Sequence, residues 1–210
     1  MRYTDVVWDF NGTLMDDVGI SILAVNDMLR KRNMPLTDKK EYYEKIEMPI
    51  IRYYEKMFDL RVAGISELTR EFQDGYDRYL SSAKPADGAR EVLGKIREAG
   101  INQVIISSFP TEKIINICAK YDILSYFSEI LGADDIKAES KVERGRAFKN
   151  SRTGGRIVAV GDLLHDYEMA KAMDADCILY SGGHQSKADL LKSGARVADS
   201  MAEIGDLIFQ

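Results

Sequence analysis

The sequence predicts an α/β fold, with a three-layer core built on a parallel sheet and interrupted by one all-helical insertion. In the second half of the chain, short apolar runs typical of buried strands alternate with amphipathic segments of helical length. A further apolar run, residues 3–8, stands apart near the N-terminus. Between these two regions, residues 16–84 show helical patterns and no convincing strand pattern.

Each element of the α/β part follows from a local pattern. In residues 86–100, Val92 and Ile96 share one helical face and Gly100 is a typical C-terminal stop. Residues 101–108 form an apolar run that ends in two hydroxyl side chains, which predicts a buried strand. By the same reasoning we expect strands near 128–131, 156–162, 177–182 and 195–200, and helices near 111–127, 141–148, 166–173, 185–194 and 201–209.

The insertion consists of amphipathic stretches. Residues 19–33 place Ile22, Val25 and Leu29 on one helical face. Two further stretches, rich in tyrosine and charge, are also expected to be helical, at 39–58 and 66–82. The sequence therefore predicts an α/β core of residues 1–15 and 85–210 and a helical insertion of residues 16–84.

Composition narrows the class of protein. The chain has 210 residues, 45% of them hydrophobic, which suffices for one large domain or for a core with an insert. A formal net charge of -5 gives no reason to expect nucleic acid or an anionic membrane as a partner. No stretch approaches the roughly 20 apolar residues of a membrane span, and Cys118 and Cys177 lie in apolar surroundings typical of buried free thiols. We expect a soluble, cytoplasmic protein whose oligomeric state the sequence does not specify.

Polar side chains follow the predicted strands where ligands bind in such folds. In open parallel α/β sheets, ligands bind beyond the carboxyl ends of the strands. Carboxylates gathered there repel one another, and Mg²⁺ removes that cost by binding carboxylates together with substrate phosphate. We therefore expect a magnesium site for a phosphorylated ligand, with Lys141 as an additional positive charge. The residues at these strand ends are Asp9, Asn11, Ser107, Ser108 and Asp162, with Asp166 one helical turn further on.

This set resembles the motifs of the haloacid dehalogenase-like superfamily of hydrolases, most of which are phosphatases. "DFNGTLMDD" is similar to the first motif, with Asp9 at the position of the nucleophile. "VIISS" resembles the second motif through Ser107, and Lys141 matches the lysine of the third, with Lys137 as its rival. "GDLLHD" is similar to the fourth, acidic motif. The insertion point matches the helical-cap subgroup that includes phosphoglycolate phosphatase.

The resemblance implies a Rossmann-like core and a Mg²⁺-dependent phosphatase of a small phosphorylated metabolite, acting through an aspartyl-phosphate. It implies that Asn11 binds metal through its backbone carbonyl and that Asp166 orients the surroundings of the metal or Lys141. The implied site has three groups of residues: catalytic Asp9, Ser107 and Lys141; substrate-binding Asn11, Gly12 and Ser108; and metal-site Asp9, Asn11, Asp162 and Asp166.

Asn11 departs from the family's pattern. Phosphatases of this superfamily usually carry a second aspartate two residues after the nucleophile, which protonates the leaving oxygen and then activates water. An amide has no useful pKa for either task, and general acid–base catalysis typically contributes about 10² to 10⁴ in rate. The metal role of position 11 survives, because a backbone carbonyl supplies that ligand.

Three interpretations of Asn11 remain open. The chain is a slow or specialised phosphatase that acts on good leaving groups, such as acyl or aryl phosphates, or on substrates that supply the proton. Alternatively, another side chain replaces the missing acid, with His165 and Asp17 as candidates. The third interpretation is a binding or regulatory protein that senses a phosphorylated metabolite. The remaining histidine, His184, is expected to be a surface loop residue, in a loop that also faces the rim where the other site residues gather.

Overall fold

A computed structural model of the chain describes residues 2–133 and 140–210. It has two compact units, an α/β unit of Met1–Asp16 with Pro85–Gln210 and a helical unit of Asp17–Lys84. The strands are β1 (Asp5–Trp8), β2 (Met15–Asp16), β3 (Lys84–Pro85), β4 (Asn102–Ile106), β5 (Glu129–Leu131), β6 (Ile157–Gly161), β7 (Asp176–Tyr180) and β8 (Arg196–Ala198). The helices are α1 (Val18–Lys31), α2 (Lys39–Lys45), α3 (Ile50–Met57), α4 (Ile65–Tyr79), α5 (Ala89–Glu98), α6 (Thr111–Lys120), α7 (Lys141–Ser151), α8 (Leu164–Ala172), α9 (Lys187–Leu190) and α10 (Met201–Phe209).

The main sheet is parallel and has the strand order β5-β4-β1-β6-β7-β8. Every residue of β1 and of β6 is buried, which is typical of central strands covered by helices on both faces. The predicted α/β class is therefore confirmed. Because all strands of this sheet run the same way, their carboxyl ends lie along one edge.

The register of the sheet places the residues that follow the central strand. Trp8, the last residue of β1, pairs with Ile105 of β4 on one side and with Val160 of β6 on the other. Neighbouring strands lie about 4.8 Å apart. Asp9 therefore emerges between the ends of β4 and β6, which lead into Ser107 and Asp162 respectively.

One apolar cluster anchors α7 and α8 to the sheet. Phe148 of α7 and Met169 of α8 pack with Val7 and Ala159 of the central strands, and all four are at most 2% exposed. Burying large apolar side chains of this kind stabilises a fold by roughly 1.5 to 3 kcal/mol each. This packing matters for the site, because α7 and α8 carry Lys141 and Asp166.

The helical unit differs from its prediction in detail. The stretch 39–58 forms two helices, α2 and α3, and the chain is not helical at 46–49. Pro49 accounts for the break, because proline lacks an N–H group and disfavours a helical conformation at the residue before it. Two short strands, β2 and β3, form a separate two-stranded sheet that the sequence did not indicate.

Two further expectations concern the thiols and the membrane. Cys118 and Cys177 are free and buried, as predicted. None of the helices in the described ranges combines the length and the apolar character needed to cross a lipid bilayer.

Candidate active site

Asp9 is held at the carboxyl end of the central strand. Its backbone N–H donates to the carbonyl of Val160 at 2.8 Å, so β6 extends its pairing with β1 by one residue. The residue is only 6% exposed. The carboxylate is thus fixed by the sheet itself, in the position that the register predicts.

Three carboxylates come together at this edge. Oxygen atoms of Asp9, Asp162 and Asp166 all lie within 4.8 Å of one another, and all three residues are buried. Asp162 directly follows β6, and Asp166 lies in the first turn of α8. Residues that are 157 positions apart in the chain therefore form one acidic cluster.

Lys141 provides the positive charge of the cluster. Its ammonium group donates to the carboxylate of Asp9 and to Oδ1 of Asp166, the latter at 2.5 Å, and the residue is 5% exposed. The lysine is the first residue of α7, and a capping box between Ser140 and Glu143 fixes that helix start. Local capping therefore places the lysine against two carboxylates from other elements.

The electrostatics of the cluster show an excess of negative charge. Burial raises the pKa of Asp9 to about 6; Lys141 opposes this shift and the charge of Asp166 adds to it. Burial also raises the pKa of Asp162 well above its ordinary value, opposed by His184 and reinforced by the neighbouring carboxylates. Burial disfavours the charged form of Lys141, but Asp166 and Asp9 outweigh that effect and raise the pKa of the lysine.

Hydrogen bonds fix the orientation of the two acids that follow β6. Asp162 accepts from the Thr13 hydroxyl through Oδ1 at 3.1 Å and from the His184 backbone N–H through Oδ2 at 2.6 Å. Asp166 accepts through Oδ2 from the backbone N–H groups of Asp162 and Leu163, at 3.0 and 2.9 Å. Oδ1 of Asp166 accepts from Lys141. Both oxygens of each carboxylate therefore accept hydrogen bonds, which fixes the orientation of the group.

The turn after Asp9 needs a glycine at position 12. Gly12 has a φ of +75°, in the left-handed region that strains other residues. A Cβ atom there would also overlap the carboxylate of Asp162 and the ring of His184. Asn11 precedes it, is partly buried and forms an isolated bridge to Met15. The "NGT" sequence therefore permits a turn that passes directly over Asp162.

The two serines that follow β4 occupy different environments. Ser107 is 2% exposed, its hydroxyl accepts from the N–H of Phe109 at 3.1 Å, and its carbonyl accepts from Arg144 at 2.8 Å. Ser108 is exposed. Because β4 is the direct neighbour of β1, Ser107 lies at the same edge of the sheet as Asp9.

The acidic cluster fits a Mg²⁺ ion. Two oxygens on opposite sides of Mg²⁺ lie about 4.2 Å apart, so ligand atoms within 4.8 Å of one another need to approach by at most about 0.6 Å to share one ion. One lysine among three buried carboxylates also leaves negative charge for a divalent cation to neutralise. Asp9, Asp162 and Asp166 are the carboxylates that could hold the ion, and Asp166 also binds Lys141 through Oδ1.

The remaining candidates from the sequence have the following surroundings. His165 faces Glu168, with Nδ1 at 3.2 Å from the carboxylate, and Asp17 accepts from the Tyr76 hydroxyl at 2.5 Å within the helical unit. Lys137 lies outside the described residues. The expectation that His184 is a surface residue was wrong, because the residue is buried and its N–H bonds Asp162. The glycine pair before it was the available signal, since adjacent glycines permit close backbone approach.

Comparisons with known proteins agree with this geometry. The family model described as haloacid dehalogenase-like hydrolase matches residues 6–180. A phosphoglycolate phosphatase from Photorhabdus laumondii is 24% identical over 189 residues, which cover 85% of this chain and 80% of that protein. The crystal structure of a predicted phosphatase from Clostridium acetobutylicum, 22% identical, superposes with a TM-score of 0.83 over 100% of this chain and 99% of that one. A haloacid dehalogenase-like family protein from Streptococcus pneumoniae, 18% identical, gives a TM-score of 0.82 over 99% of each chain.

The similar solved structures show the fold of the chain, whereas the family match also shows the family to which the chain belongs. This match spans most of the chain, residues 6–180. The resemblance that the motifs indicated is thereby confirmed. The chain belongs to the haloacid dehalogenase-like hydrolase family.

Proposed function

We propose that the chain is a Mg²⁺-dependent phosphatase of a small phosphorylated metabolite, with Asp9 as the nucleophile. One observation carries this proposal: Asp9, Asp162 and Asp166 form a buried acidic cluster around Lys141 at the carboxyl edge of the sheet. The family assignment supports it, as do relatives named phosphoglycolate phosphatase. Phosphoglycolate itself is one candidate metabolite. In this proposal the helical unit is the cap that the family resemblance implies.

The reaction divides into two displacements at phosphorus. A carboxylate oxygen of Asp9 forms a bond to phosphorus while the bond to the leaving oxygen breaks, and the leaving group takes that electron pair. Water then attacks the phosphorus of the aspartyl-phosphate, which releases inorganic phosphate and restores Asp9. A carboxylate suits this role because, with a pKa of about 6, most of it is ionised at neutral pH and it needs no activating base.

The surrounding residues hold the phosphoryl group. The Ser107 hydroxyl, the Lys141 ammonium and the N–H groups of the turn at Gly12 would bind its oxygens, with Ser108 at the rim. Asp9, Asp162 and the carbonyl of Asn11 would hold Mg²⁺, and Asp166 would keep Lys141 and the loop after β6 in place. The chemistry that Mg²⁺ supplies when bound is neutralisation of the charge that builds up between carboxylate and phosphate.

Asn11 sets the expected substrate preference within this function. Because an amide cannot protonate the leaving oxygen, esters of weakly acidic alcohols should react slowly. Hydrolysis of aryl and acyl phosphates depends less on protonation of the leaving oxygen, since their leaving groups are stable as anions. The same residue favours a second candidate function, a phosphometabolite-binding or regulatory protein with little turnover.

The decisive experiment replaces the proposed nucleophile. We expect Asp9→Asn to reduce Mg²⁺-dependent hydrolysis of para-nitrophenyl phosphate to background, while thermal unfolding shows a folded chain. Asp206→Asn, which changes an exposed acid on α10, is the matched control and should retain wild-type turnover. Turnover that persists in Asp9→Asn would rule out the proposed mechanism. Metal-dependent phosphate binding by a wild-type chain that hydrolyses no phosphate ester would instead support the binding protein.

A further inference from the structure

The segment Gly183–Gln185, just beyond β7, contacts the loop that carries both acids of the fourth motif. It follows the next strand along the sheet from β6, so its backbone arrives at the same carboxyl edge. No motif in the sequence assigned it a role. Its contacts with the loop after β6 include a close backbone approach, a hydrogen bond from a backbone N–H and a hydrogen bond to a side chain.

The close approach is made by Gly183. A Cβ atom at this position would overlap the side chain of Asp162, which is fully buried and cannot withdraw into solvent. The glycine is therefore needed for space beside the carboxylate. The next residue, His184, donates its backbone N–H to Oδ2 of Asp162 at 2.6 Å. A short hydrogen bond from a rigid backbone group fixes the direction in which this carboxylate points.

The side-chain contact is made by Gln185. Its Oε1 accepts from the backbone N–H of Leu164, the first residue of α8, at 2.7 Å. The two preceding N–H groups, of Asp162 and Leu163, both bond Asp166. Successive N–H groups of this loop are thus held by two side chains, one from within α8 and one from the segment after β7.

We propose that the Gly183–Gln185 segment is a positioning element of the metal site. It fixes the Asp162 carboxylate through the His184 amide, and it fixes the start of α8, and with it Asp166, through the Gln185 side chain. This inference rests on the proposed function, because it concerns affinity for the Mg²⁺ ion of that site. Gln185 does not touch the reacting atoms and is a positioning residue.

The expected effect is on metal affinity more than on the chemical step. Replacing groups that orient metal ligands typically weakens metal binding or activity about 10- to 100-fold. In Gln185→Met the side chain keeps its length and loses its acceptor, so Leu164 N–H is released and the loop loosens. Bound Mg²⁺ can draw the loosened carboxylates back into place. Saturating Mg²⁺ should therefore restore most of kcat.

The experiment measures Mg²⁺ binding directly. Calorimetric titration of the full chain with MgCl₂ should show a dissociation constant about tenfold weaker for Gln185→Met than for wild type. Gln185→Glu keeps an acceptor oxygen and should recover wild-type affinity within about threefold. A pair of glycine variants gives a second, independent comparison. Gly183→Ala should weaken binding at least as much as Gln185→Met. Gly94→Ala on α5 is the control and should bind as wild type, because a Cβ there meets the Tyr126 hydroxyl at 3.9 Å, an ordinary van der Waals distance.

The possible outcomes distinguish failure of this inference from failure of the proposed function. Wild-type binding of Mg²⁺ with unchanged affinity in Gln185→Met and Gly183→Ala would overturn the positioning role and leave the metal site standing. Wild-type chain that binds no Mg²⁺ would overturn the metal site, and the positioning role with it. If Gly183→Ala fails to fold in EDTA, as judged by thermal unfolding, Gln185→Met and its Gln185→Glu rescue decide the question. An equal loss of affinity in Gln185→Met and Gln185→Glu would also contradict the role of the acceptor oxygen.

Discussion

The ammonium group of Lys141 donates a hydrogen bond to the carboxylate of Asp9, although 132 positions separate the two residues in the sequence. A second bond, to Asp166, makes the lysine the centre of a buried charged cluster. A buried ionic group that loses its partner costs far more than the same group at the surface. The hydrogen bonds of Lys141 therefore contribute both to the stability of the fold and to the arrangement of the site.

Replacing Lys141 should lower both the stability of the fold and the activity of the site. In Lys141→Met the aliphatic part of the side chain is kept, and the carboxylates of Asp9 and Asp166 lose their buried counter-charge. We expect phosphatase activity to fall to background and the free energy of unfolding to decrease by about 3 to 5 kcal/mol in the absence of metal. Denaturant titration in EDTA measures the change. Lys95→Met, on the exposed face of α5, is the control, and an equal loss in both variants would contradict the specific role of Lys141.

Asn11→Asp should restore the missing acid–base group. We expect the variant to hydrolyse an alkyl phosphate about 10²-fold faster than wild type, with a smaller gain on para-nitrophenyl phosphate, whose leaving group needs little protonation. The ratio of kcat/KM for the two esters, measured with saturating Mg²⁺, is the quantity to compare. Wild-type chain that already hydrolyses alkyl phosphates rapidly would point to a substitute acid, and His165→Asn and Asp17→Asn would then identify it.

The parts of the site that depend on side-chain chemistry and on the order of the strands could be predicted from the sequence. Asp9 and Asp162 follow buried strands, so the rule for carboxyl ends of parallel sheets placed both correctly. The contact of His184 with Asp162 was not predictable in this way, because a backbone N–H makes it and every residue but proline carries one. The glycine at 183 was visible in the sequence, but its reason, the space needed beside Asp162, exists only in three dimensions.

The fold shows the same division between local and long-range causes. The boundaries of α5 and α7 follow from local signals, a glycine stop at Gly100 and the capping box at Ser140. The pattern of residues 39–58 suggested continuous helix, because amphipathic spacing persists on both sides of Pro49. The structure follows the backbone restriction of proline instead, and the two shorter helices each bury tyrosines in the same core cluster.

Chelation should remove activity reversibly. We expect EDTA to abolish hydrolysis of para-nitrophenyl phosphate and added Mg²⁺ to restore it, because the acidic cluster holds more negative than positive charge without a cation. Asp162→Asn should weaken Mg²⁺ binding by at least about tenfold, since it removes one carboxylate charge beside the ion. Calorimetric titration gives the affinity and a coupled phosphate assay gives the rate. Unchanged turnover in EDTA would remove the metal from the mechanism.

The two cysteines should be unreactive in the folded chain. Burial raises the pKa of Cys118 and of Cys177 to about 12, from an ordinary value near 9. At pH 8 only about one thiol in 10⁴ is then ionised in the native state. Above pH 9 the unfolded chain loses these protons and the native chain keeps them, so stability should fall as the pH rises further. Slow labelling by a thiol-reactive disulfide at pH 8, becoming complete in guanidinium chloride, is the expected result; rapid labelling of the native chain would contradict it.

Two tyrosines in the helical unit should respond oppositely to loss of the hydroxyl group. The Tyr53 hydroxyl is buried and has no hydrogen-bond partner among the described residues, while that of Tyr76 donates to buried Asp17 at 2.5 Å. Burying an unbonded hydroxyl costs free energy, so Tyr53→Phe should raise the free energy of unfolding by about 1 kcal/mol. Tyr76→Phe removes a donor from a buried carboxylate and should lower it by about 1 to 3 kcal/mol. Denaturant titration of both variants compares the same chemical change in two surroundings. Equal shifts of one sign would show that loss of the hydroxyl, and not its bonding, determines the effect.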